Sequence, residues 1–211
     1  LSAFDSIKTE NSNSEKPSKT PIQQTEPLSF DRAAPDKTLS ETISDRYTKN
    51  EEKRQMIELA EKISRCEKCT VSNAPGSKIF GIGAVPSKIL VISANSYISK
   101  NGGYQPMNDR DYDYFKKWLD AVKINVEDVF ITSLLKCNIP ENQISKEFIT
   151  NCTPFLKREI EILNPSLILA LGEVVLSSLK QSPMFLRRDR GTVFHYYEIP
   201  FIATYHPKNV L

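Results

Sequence analysis

The sequence has little net charge, no long hydrophobic run and no internal repeat. Its 28 basic residues against 26 acidic residues leave a net charge of +2, which excludes a global basic field as the means of binding nucleic acid. Any such contact must come from local basic clusters. The longest apolar stretch, Leu167–Leu171, has only the length of a strand, far short of a membrane span. The 211 residues provide for one ordinary domain and an extension.

The two ends of the sequence say little about where the protein works. The chain begins at Leu1 rather than at a methionine and stops at Leu211, directly after a motif, so we expect a trimmed chain. The lack of a signal peptide therefore carries little weight. We expect a cytoplasmic protein that acts as a monomer and makes no membrane contact.

Residues 1–40 are rich in Ser, Thr, Pro, Lys, Glu, Asn and Gln and poor in large apolar groups. Such a segment cannot bury enough surface to offset its chain entropy, so we predict a disordered N-terminal arm. An island at 24–30 (QTEPLSF) resembles the glutamine–leucine–aromatic peptides that bind bacterial sliding clamps, although its glutamine is one residue out of place. It is either a docking peptide for a protein partner or a chance pair of apolar residues in a linker.

From residue 41 onward, strand-length apolar runs alternate with amphipathic helical stretches. Strands separated by helices of this length predict βαβ units, so we expect an α/β fold, a three-layer αβα arrangement with a mostly parallel central sheet. We expect this domain to span 41–211, with its core at 64–211. The predicted helices are 40–64, 109–122, 145–163 and 172–180, and the predicted strands are 88–93, 129–135, 167–171, 193–197 and 199–204.

Four segments leave the carboxyl ends of the predicted strands, where ligands bind in sheets of this type. They are 93–97 (SANSY), 135–138 (LKCN), 172–173 (GE) and 205–207 (YHP). We therefore expect the chemistry of the protein at this edge of the sheet. The strand that ends at Thr204 delivers His206 to it.

The four cysteines have an irregular spacing. Cys66 and Cys69 form a C-x-x-C pair, Cys137 lies just past a predicted strand, and Cys152 lies in a predicted helix. Two thiolates three residues apart can reach one ion or cluster, so the spacing favours a metal or cluster site. Two disulfides, or unrelated buried thiols, are the alternatives that the spacing leaves open.

The motifs occur in an order that is similar to that of one family. The C-x-x-C pair is followed by G-x-G (81–83), I-T-x-L-L-K-C (131–137), C-x-P-F-L (152–156), N-P-S-L-I-L-A-L-G (164–172) and T-Y-H-P (204–207). From about residue 64 to residue 211, this order resembles the family 4 uracil-DNA glycosylases, the iron–sulfur branch of their superfamily. The resemblance implies that DNA is the partner, and that a uracil base is flipped into a pocket where water cleaves its N-glycosidic bond in base excision repair.

The resemblance also implies a [4Fe–4S] cluster held by Cys66, Cys69, Cys137 and Cys152, since four thiolates are a usual ligand set for such a cluster. A Cys₄ zinc site is the alternative. The role of the cluster would be structural, because it would hold the loop between Cys137 and Cys152 against the edge of the sheet.

The catalytic residue that the resemblance implies is His206, which would stabilise the negative charge left on the departing uracil. Pro207 and Lys208 would contact the DNA strand. Without the surrounding motifs, the alternative for His206 would be a surface histidine before a proline turn.

Three positions depart from the family pattern. The family acid after the first strand is Ala94 here, and the aromatic residue that stacks on uracil aligns roughly with Met107. The asparagine that reads the base is Ser133, which cannot make the two amide contacts that asparagine offers to a base edge.

The turn 93–97 is also similar to the G-Q-D-P-Y and G-I-N-P-G turns of sister branches. By that resemblance, Asn95 would position the attacking water and Tyr97 would form a wall of the pocket. The alternative is that the turn has drifted and that Asn95 only caps backbone groups.

The basic clusters differ in their surroundings. Arg187, Arg188 and Arg190 precede Gly191 in a predicted loop, where flexible cations can follow a phosphate backbone, so we expect them to bind DNA. The pairs at 116–117 and 157–158 lie on helices and are expected to be solvated faces, and His195 is expected to be structural.

Two functions remain in view. The first is a glycosylase that removes uracil or another deaminated base, supported by the cysteines, His206 and the Asn95–Tyr97 turn. The second is a non-catalytic relative that binds DNA as an accessory module in replication or repair, supported by the three departures and the long arm. A zinc-stabilised α/β domain without a role on DNA is a remote third interpretation.

Overall fold

The computed structural model describes residues 37–70, 78–95, 97–98 and 104–210. The helices are α1 (Lys37–Ser64), α2 (Asp109–Ala121), α3 (Lys146–Leu163), α4 (Glu173–Lys180) and α5 (Leu186–Asp189). The strands are β1 (Ile82–Gly83), β2 (Ile89–Ser93), β3 (Tyr97–Ile98), β4 (Tyr104–Gln105), β5 (Val129–Ser133), β6 (Leu167–Leu171), β7 (Phe194–Tyr196) and β8 (Ile199–Thr204). Short 3₁₀ turns occur at Val126–Asp128, Glu141–Gln143 and Pro207–Asn209.

The central sheet has six strands in the order β1-β5-β2-β6-β8-β7. The inner pairs β2–β5, β2–β6 and β6–β8 are parallel, and the edge strands β1 and β7 pair antiparallel. This arrangement confirms the predicted α/β fold with a mostly parallel sheet. Because the inner strands are parallel, the segments that follow β2, β5, β6 and β8 all emerge at one edge.

Both faces of the sheet are covered, as the continuous apolar runs predict. Side chains of one parity, such as Leu90 and Ile168, pack with α3 and α4 in one core cluster. Side chains of the other parity, such as Val91 and Ile131, pack with Phe115 of α2 in a second cluster. The sheet therefore has a helical layer on each side, and its carboxyl edge remains available for a site.

Local signals set several boundaries. Ser145 caps α3 as expected, with its Oγ accepting a hydrogen bond from the Phe148 amide at 3.3 Å. The G-x-G motif lies where β1 crosses β5, and a Cβ atom at Gly81 or Gly83 would overlap Phe130 or the Val129 carbonyl. The glycines of this motif therefore serve close strand packing.

The sequence placed some boundaries differently. The first helix begins at Lys37 rather than at residue 40, so the last four residues of the predicted arm are helical. The rest of that arm, including the peptide at 24–30, lies outside the described residues. The strand predicted at 129–135 ends at Ser133, although the Leu134 amide still donates to the Ser93 carbonyl of β2 at 2.8 Å. Among the described helices, none combines the length and apolarity that a membrane crossing requires.

Candidate functional site

The carboxyl edge of the sheet brings together side chains from β2, β5, β8 and helix α2. Asn95 follows β2, Ser133 ends β5, and His206 follows β8 and opens the last 3₁₀ turn. The parallel register places Ser93 opposite Ser133. The predicted edge therefore holds three of the candidate residues.

His206 is the most unusual side chain at this edge. It is 3% exposed, and its Nδ1 accepts a hydrogen bond from the Lys208 amide at 3.3 Å. Burial lowers the pKa of His206 from 6.5 to about 4, so the imidazole is uncharged at neutral pH. Since Nδ1 is an acceptor, the proton lies on Nε2. That atom is buried and has no hydrogen-bond partner among the residues that the structure describes.

A buried carboxyl group lies beside this histidine. Asp111 of α2 is 2% exposed, and its Oδ2 is 3.8 Å from Nδ1 of His206. Asn108 donates its Nδ2 to the same oxygen at 2.8 Å. Burial raises the pKa of Asp111, and the Asn108 hydrogen bond partly opposes that change. The Lys208 amide and the Asp111 carboxyl group thus both approach the Nδ1 atom of the imidazole.

Sequence reasoning missed Asp111, although a signal was present. Asp111 stands four residues before Phe115 and eight before Leu119, so it occupies the buried stripe of an amphipathic helix. Because burial of an unpaired charge is costly, a carboxyl group on that stripe predicts a hydrogen-bonding or charged partner nearby.

Tyr97 and Lys208 cover the histidine from the solvent side. The rings of Tyr97 and His206 lie 5.4 Å apart at 33°. The Tyr97 hydroxyl donates to Glu141 Oε1 at 3.4 Å, and Lys208 forms an ion pair with the same carboxylate. Burial raises the pKa of Tyr97 to about 12, with a further contribution from Asp111. Tyr97 and Lys208, both predicted for this site, are thus placed together with His206.

Asn95 and Ser133 are engaged with the backbone of the loop after β5. Asn95 is 4% exposed, its Nδ2 donates to the Ile139 carbonyl, and its Oδ1 accepts from the Ile139 amide at 3.4 Å. Ser133 is fully buried and donates its Oγ to the Leu135 carbonyl at 2.6 Å. Both side chains therefore hold the backbone of the loop after β5.

Met107, predicted to contact the base, is fully buried. It packs in the core cluster between α2 and the sheet, with Val91 and Phe115 among its neighbours. Ala94 is partly buried and packs against the opposite core cluster. Neither side chain carries a group that ionises, whereas Asp111 of α2 brings a carboxyl group to 3.8 Å from His206 Nδ1.

The three arginines predicted to bind phosphate lie around α5, and all are exposed. The Arg190 guanidinium lies 5.6 Å from the ring of Tyr205, the residue before His206. Arg188 makes two hydrogen bonds to the Asp189 carboxylate, at 2.7 and 3.0 Å. These contacts place the cluster on the same edge of the sheet as the histidine.

Two other basic side chains, Lys116 and Arg158, form ion pairs within their own helices. Lys116 pairs with Asp113 at 2.7 Å, and Arg158 pairs with Glu161 at 3.0 Å. His195 is exposed on β7.

None of the four cysteines, which are all described, forms a disulfide; they come from the segment after α1, the loop after β5 and helix α3. Burial raises the pKa of both Cys137 and Cys152. Neighbouring thiols raise these values further, with Cys66 and Cys69 acting on Cys137, and with Cys137 and Cys69 acting on Cys152. Cys66, Cys69 and Cys152 therefore each lie close enough to Cys137 to interact with it electrostatically.

Nitrogen donors surround this group of thiols. Lys78 Nζ lies 3.7 Å from the Cys137 sulfur, and Asn151 Nδ2 lies 3.4 Å from the Cys69 sulfur. The backbone amide of Lys136 donates to the Cys152 sulfur at 3.5 Å. Across the described ranges, no three His, Cys, Asp or Glu side chains are grouped as a single metal ion requires.

A buried ion pair supports the segment between the two sites. Lys136 and Glu159 are each 1% exposed, and their Nζ and Oε2 atoms are 2.7 Å apart. Lys136 also donates to Thr132 Oγ1 at 2.7 Å and to the Ser133 carbonyl at 2.8 Å. The network ties the end of β5 to α3, and so positions Ser133 relative to the cysteine loop.

Comparison with known proteins places this geometry in context. The family model of the uracil DNA glycosylase superfamily matches residues 80–211. The type-4 uracil-DNA glycosylase of Saccharolobus solfataricus is 28% identical over 163 residues, which cover 72% of this chain and 76% of that protein. The enzyme of the same description from Thermotoga maritima is 26% identical over 168 residues, or 78% and 86% of the two chains. A DNA polymerase of Bacillus phage SP01 is 26% identical over 133 residues, 62% of this chain but 14% of the polymerase.

Proposed function

We propose, from the premise that this chain belongs to the uracil DNA glycosylase superfamily, that it removes uracil from DNA by hydrolysing the N-glycosidic bond. The observation that carries this proposal is the buried, uncharged His206, whose Nε2 has no partner in the described part of the protein. Leaving a buried donor unsatisfied costs roughly 1–3 kcal/mol. A flipped base that accepts from this nitrogen accounts for that cost.

The chemistry follows from where charge develops. As water attacks C1′ of the deoxyribose, the bond to N1 breaks and its electron pair leaves with the uracil, which becomes an anion. The attacking water gives up one proton to the solvent, and the departed uracil anion takes one up. A preorganised N–H donor in a site that excludes water stabilises that charge. Because Nδ1 of the uncharged imidazole accepts from the Lys208 amide, Nε2 carries the proton and can donate a hydrogen bond to that charge.

The neighbouring residues have supporting roles in this proposal. The Lys208 amide holds the imidazole in one orientation through Nδ1, and the Asp111 carboxyl group lies 3.8 Å from the same atom. Tyr97 forms the wall over the ring, and it must shift for a base to reach Nε2. Asn95 remains the predicted residue for positioning water, although its amide now holds Ile139, and that role requires a rearrangement of the loop.

We propose that Cys66, Cys69, Cys137 and Cys152 hold a [4Fe–4S] cluster. Four thiols are the ligand set that such a cluster uses, and nitrogen donors lie within 3.7 Å of three of the sulfur atoms. When bound, the cluster supplies a cross-link and no redox step of the hydrolysis. The cysteines would thereby connect the end of α1 to the loop that carries Ile139 and Glu141, which touch Asn95 and Lys208. A zinc ion bound by the same four cysteines is the alternative.

A second function has specific support. The engagement of Asn95 and Ser133 with backbone groups, together with the match to part of a DNA polymerase, favours a DNA-binding module that accompanies replication without cleaving bases. DNA is the partner in both proposals, so the two differ only in catalysis.

The test is uracil excision from a labelled single-stranded oligonucleotide, followed by alkaline cleavage on a gel. We expect the wild-type protein to cleave, and His206→Gln to be slower by about 100-fold to 1,000-fold. His195→Gln, which changes the exposed histidine, serves as the matched control and retains wild-type rates. Binding of the oligonucleotide without cleavage by the wild-type protein would support the second function instead.

A further inference from the structure

The segment around α5 is attached to the same sheet edge as His206. The Leu186 amide donates to Glu173 Oε2 at 2.9 Å, directly after the end of β6. At the other end of the segment, the Gly191 amide donates to the Ala203 carbonyl at 3.0 Å, three residues before His206. The segment therefore lies at the carboxyl edge of the sheet, next to the strand that leads to His206.

This segment presents an exposed aromatic ring. Phe185 is 59% exposed, whereas its neighbour Leu186 is 4% exposed and anchored in the core. The Phe185 amide donates to Asp189 Oδ2 at 3.0 Å, and the Phe185 carbonyl accepts from the amides of Arg188 and Asp189 at 3.0 and 2.9 Å. Because both backbone groups are held, the ring is presented on a fixed support.

The ring is surrounded by positive charge. The Arg188 guanidinium lies 5.6 Å from the Phe185 ring centre, and Asp189 holds that guanidinium through two hydrogen bonds. Arg187 and Arg190, which flank Arg188 and Asp189 in the sequence, are also exposed. A surface that binds an apolar partner would be wider, would be apolar throughout and would lack the arginines. An aromatic face framed by cations is suited to a nucleobase with its phosphates.

We propose that Phe185 is a stacking platform for an unpaired nucleobase that flanks the one held at His206. This inference rests on the proposed DNA-binding function and adds the part of the surface that receives the neighbouring strand. The three arginines contact the phosphates of that strand, and the ring holds one of its bases. Because every base has a π face, the contact contributes affinity with little sequence preference.

The experiment measures binding of the full chain to an undamaged, fluorescein-labelled single-stranded oligonucleotide by anisotropy. Phe185→Ala is expected to bind about 5-fold to 150-fold more weakly. Phe185→Tyr keeps the aromatic face and is expected to retain affinity, whereas Phe185→Leu keeps only apolar surface and loses affinity as alanine does. The slope of log affinity against log salt concentration is expected to stay unchanged in Phe185→Ala. In Arg188→Gln its magnitude is expected to fall by about one.

Tyr197 provides a matched control. It is another exposed aromatic residue, 68% exposed, with Lys157 Nζ 5.7 Å from its ring centre. It lies in the turn between β7 and β8, at the opposite edge of the sheet. Tyr197→Ala is therefore expected to bind DNA as the wild-type protein does.

Each outcome is decisive. Equal binding by wild type and Phe185→Ala, or full binding by Phe185→Leu, would overturn the stacking role while leaving the proposed function intact. An equal loss of DNA affinity in Tyr197→Ala would show that the effect is not specific to the carboxyl edge of the sheet. That result would also overturn the stacking role of Phe185. If the wild-type protein bound no DNA, both the platform and the proposed function would fail.

Discussion

Protonation of His206 provides a direct test of the uncharged, buried imidazole. In the folded protein, burial lowers its pKa from 6.5 to about 4, whereas the unfolded chain keeps the ordinary value. Between these two values the unfolded state binds the proton and the folded state does not, so acidification favours unfolding. The contribution to stability is intact above pH 6.5 and is lost as the pH falls towards 4. The full difference between the two pKa values corresponds to about 3 kcal/mol of folding stability.

The assay is urea unfolding of the wild-type protein and of His206→Gln at pH 7 and at pH 4. Both proteins lose stability as their carboxylates are protonated, but the wild-type protein is expected to lose about 3 kcal/mol more. His195→Gln is the control, because His195 is exposed and its variant should behave as the wild type does. Equal losses in wild type and His206→Gln would refute the reasoning, since the imidazole would then be accessible to protons in the folded state.

Three further predictions concern the surroundings of this histidine. Glu159→Ala leaves Lys136 as an unpaired buried charge and should destabilise the fold by about 3–5 kcal/mol, measured by urea unfolding. Asp111→Asn removes a carboxyl group 3.8 Å from Nδ1, so NMR titration should show a still lower pKa for His206. Cys152→Ala should abolish the brown iron–sulfur absorbance of protein purified without oxygen, and iron analysis should show the same loss.

Each of these predictions has its own control. Glu161→Ala removes an exposed partner of Arg158 and should change stability by less than about 1 kcal/mol. The ring resonances of the exposed His195 serve as an internal NMR reference for the wild type and Asp111→Asn. A colourless wild-type protein that contains zinc would contradict the cluster proposal, and an increase in the His206 pKa on loss of Asp111 would contradict the electrostatic argument.

The comparisons confirm the family that the sequence motifs resemble, and the structure confirms the α/β fold. These features could be predicted because they depend on short-range patterns. Runs such as LILAL at 167–171 are too apolar for any position but a buried strand, and Ser145 caps the helix that follows it. The order of the motifs along the chain then restricts which strands can bring residues to a common edge.

The surroundings of the candidate residues were harder to predict. Asn95 was expected to position water, and that role stays a prediction, but the amide that would perform it contacts Ile139, 44 residues away. Asp111 was not considered, because its approach to His206 requires α2 to pack beneath the turn after β8. Phe185 had no sequence signal beyond its neighbouring arginines, and its exposure emerged only from the packing of α5.

The sequence alone determined the order of strands and helices along the chain, the family of the domain and the presence of one histidine after the last strand. These properties follow from hydrophobic period, capping residues and linear motifs, which need no knowledge of distant contacts. Tertiary structure decided that this histidine is buried and uncharged, that a carboxyl group from α2 lies beside it, and that an aromatic ring faces solvent on the same edge. Burial and proximity depend on which distant segments meet, and these in turn set the charge of His206 and the availability of its Nε2.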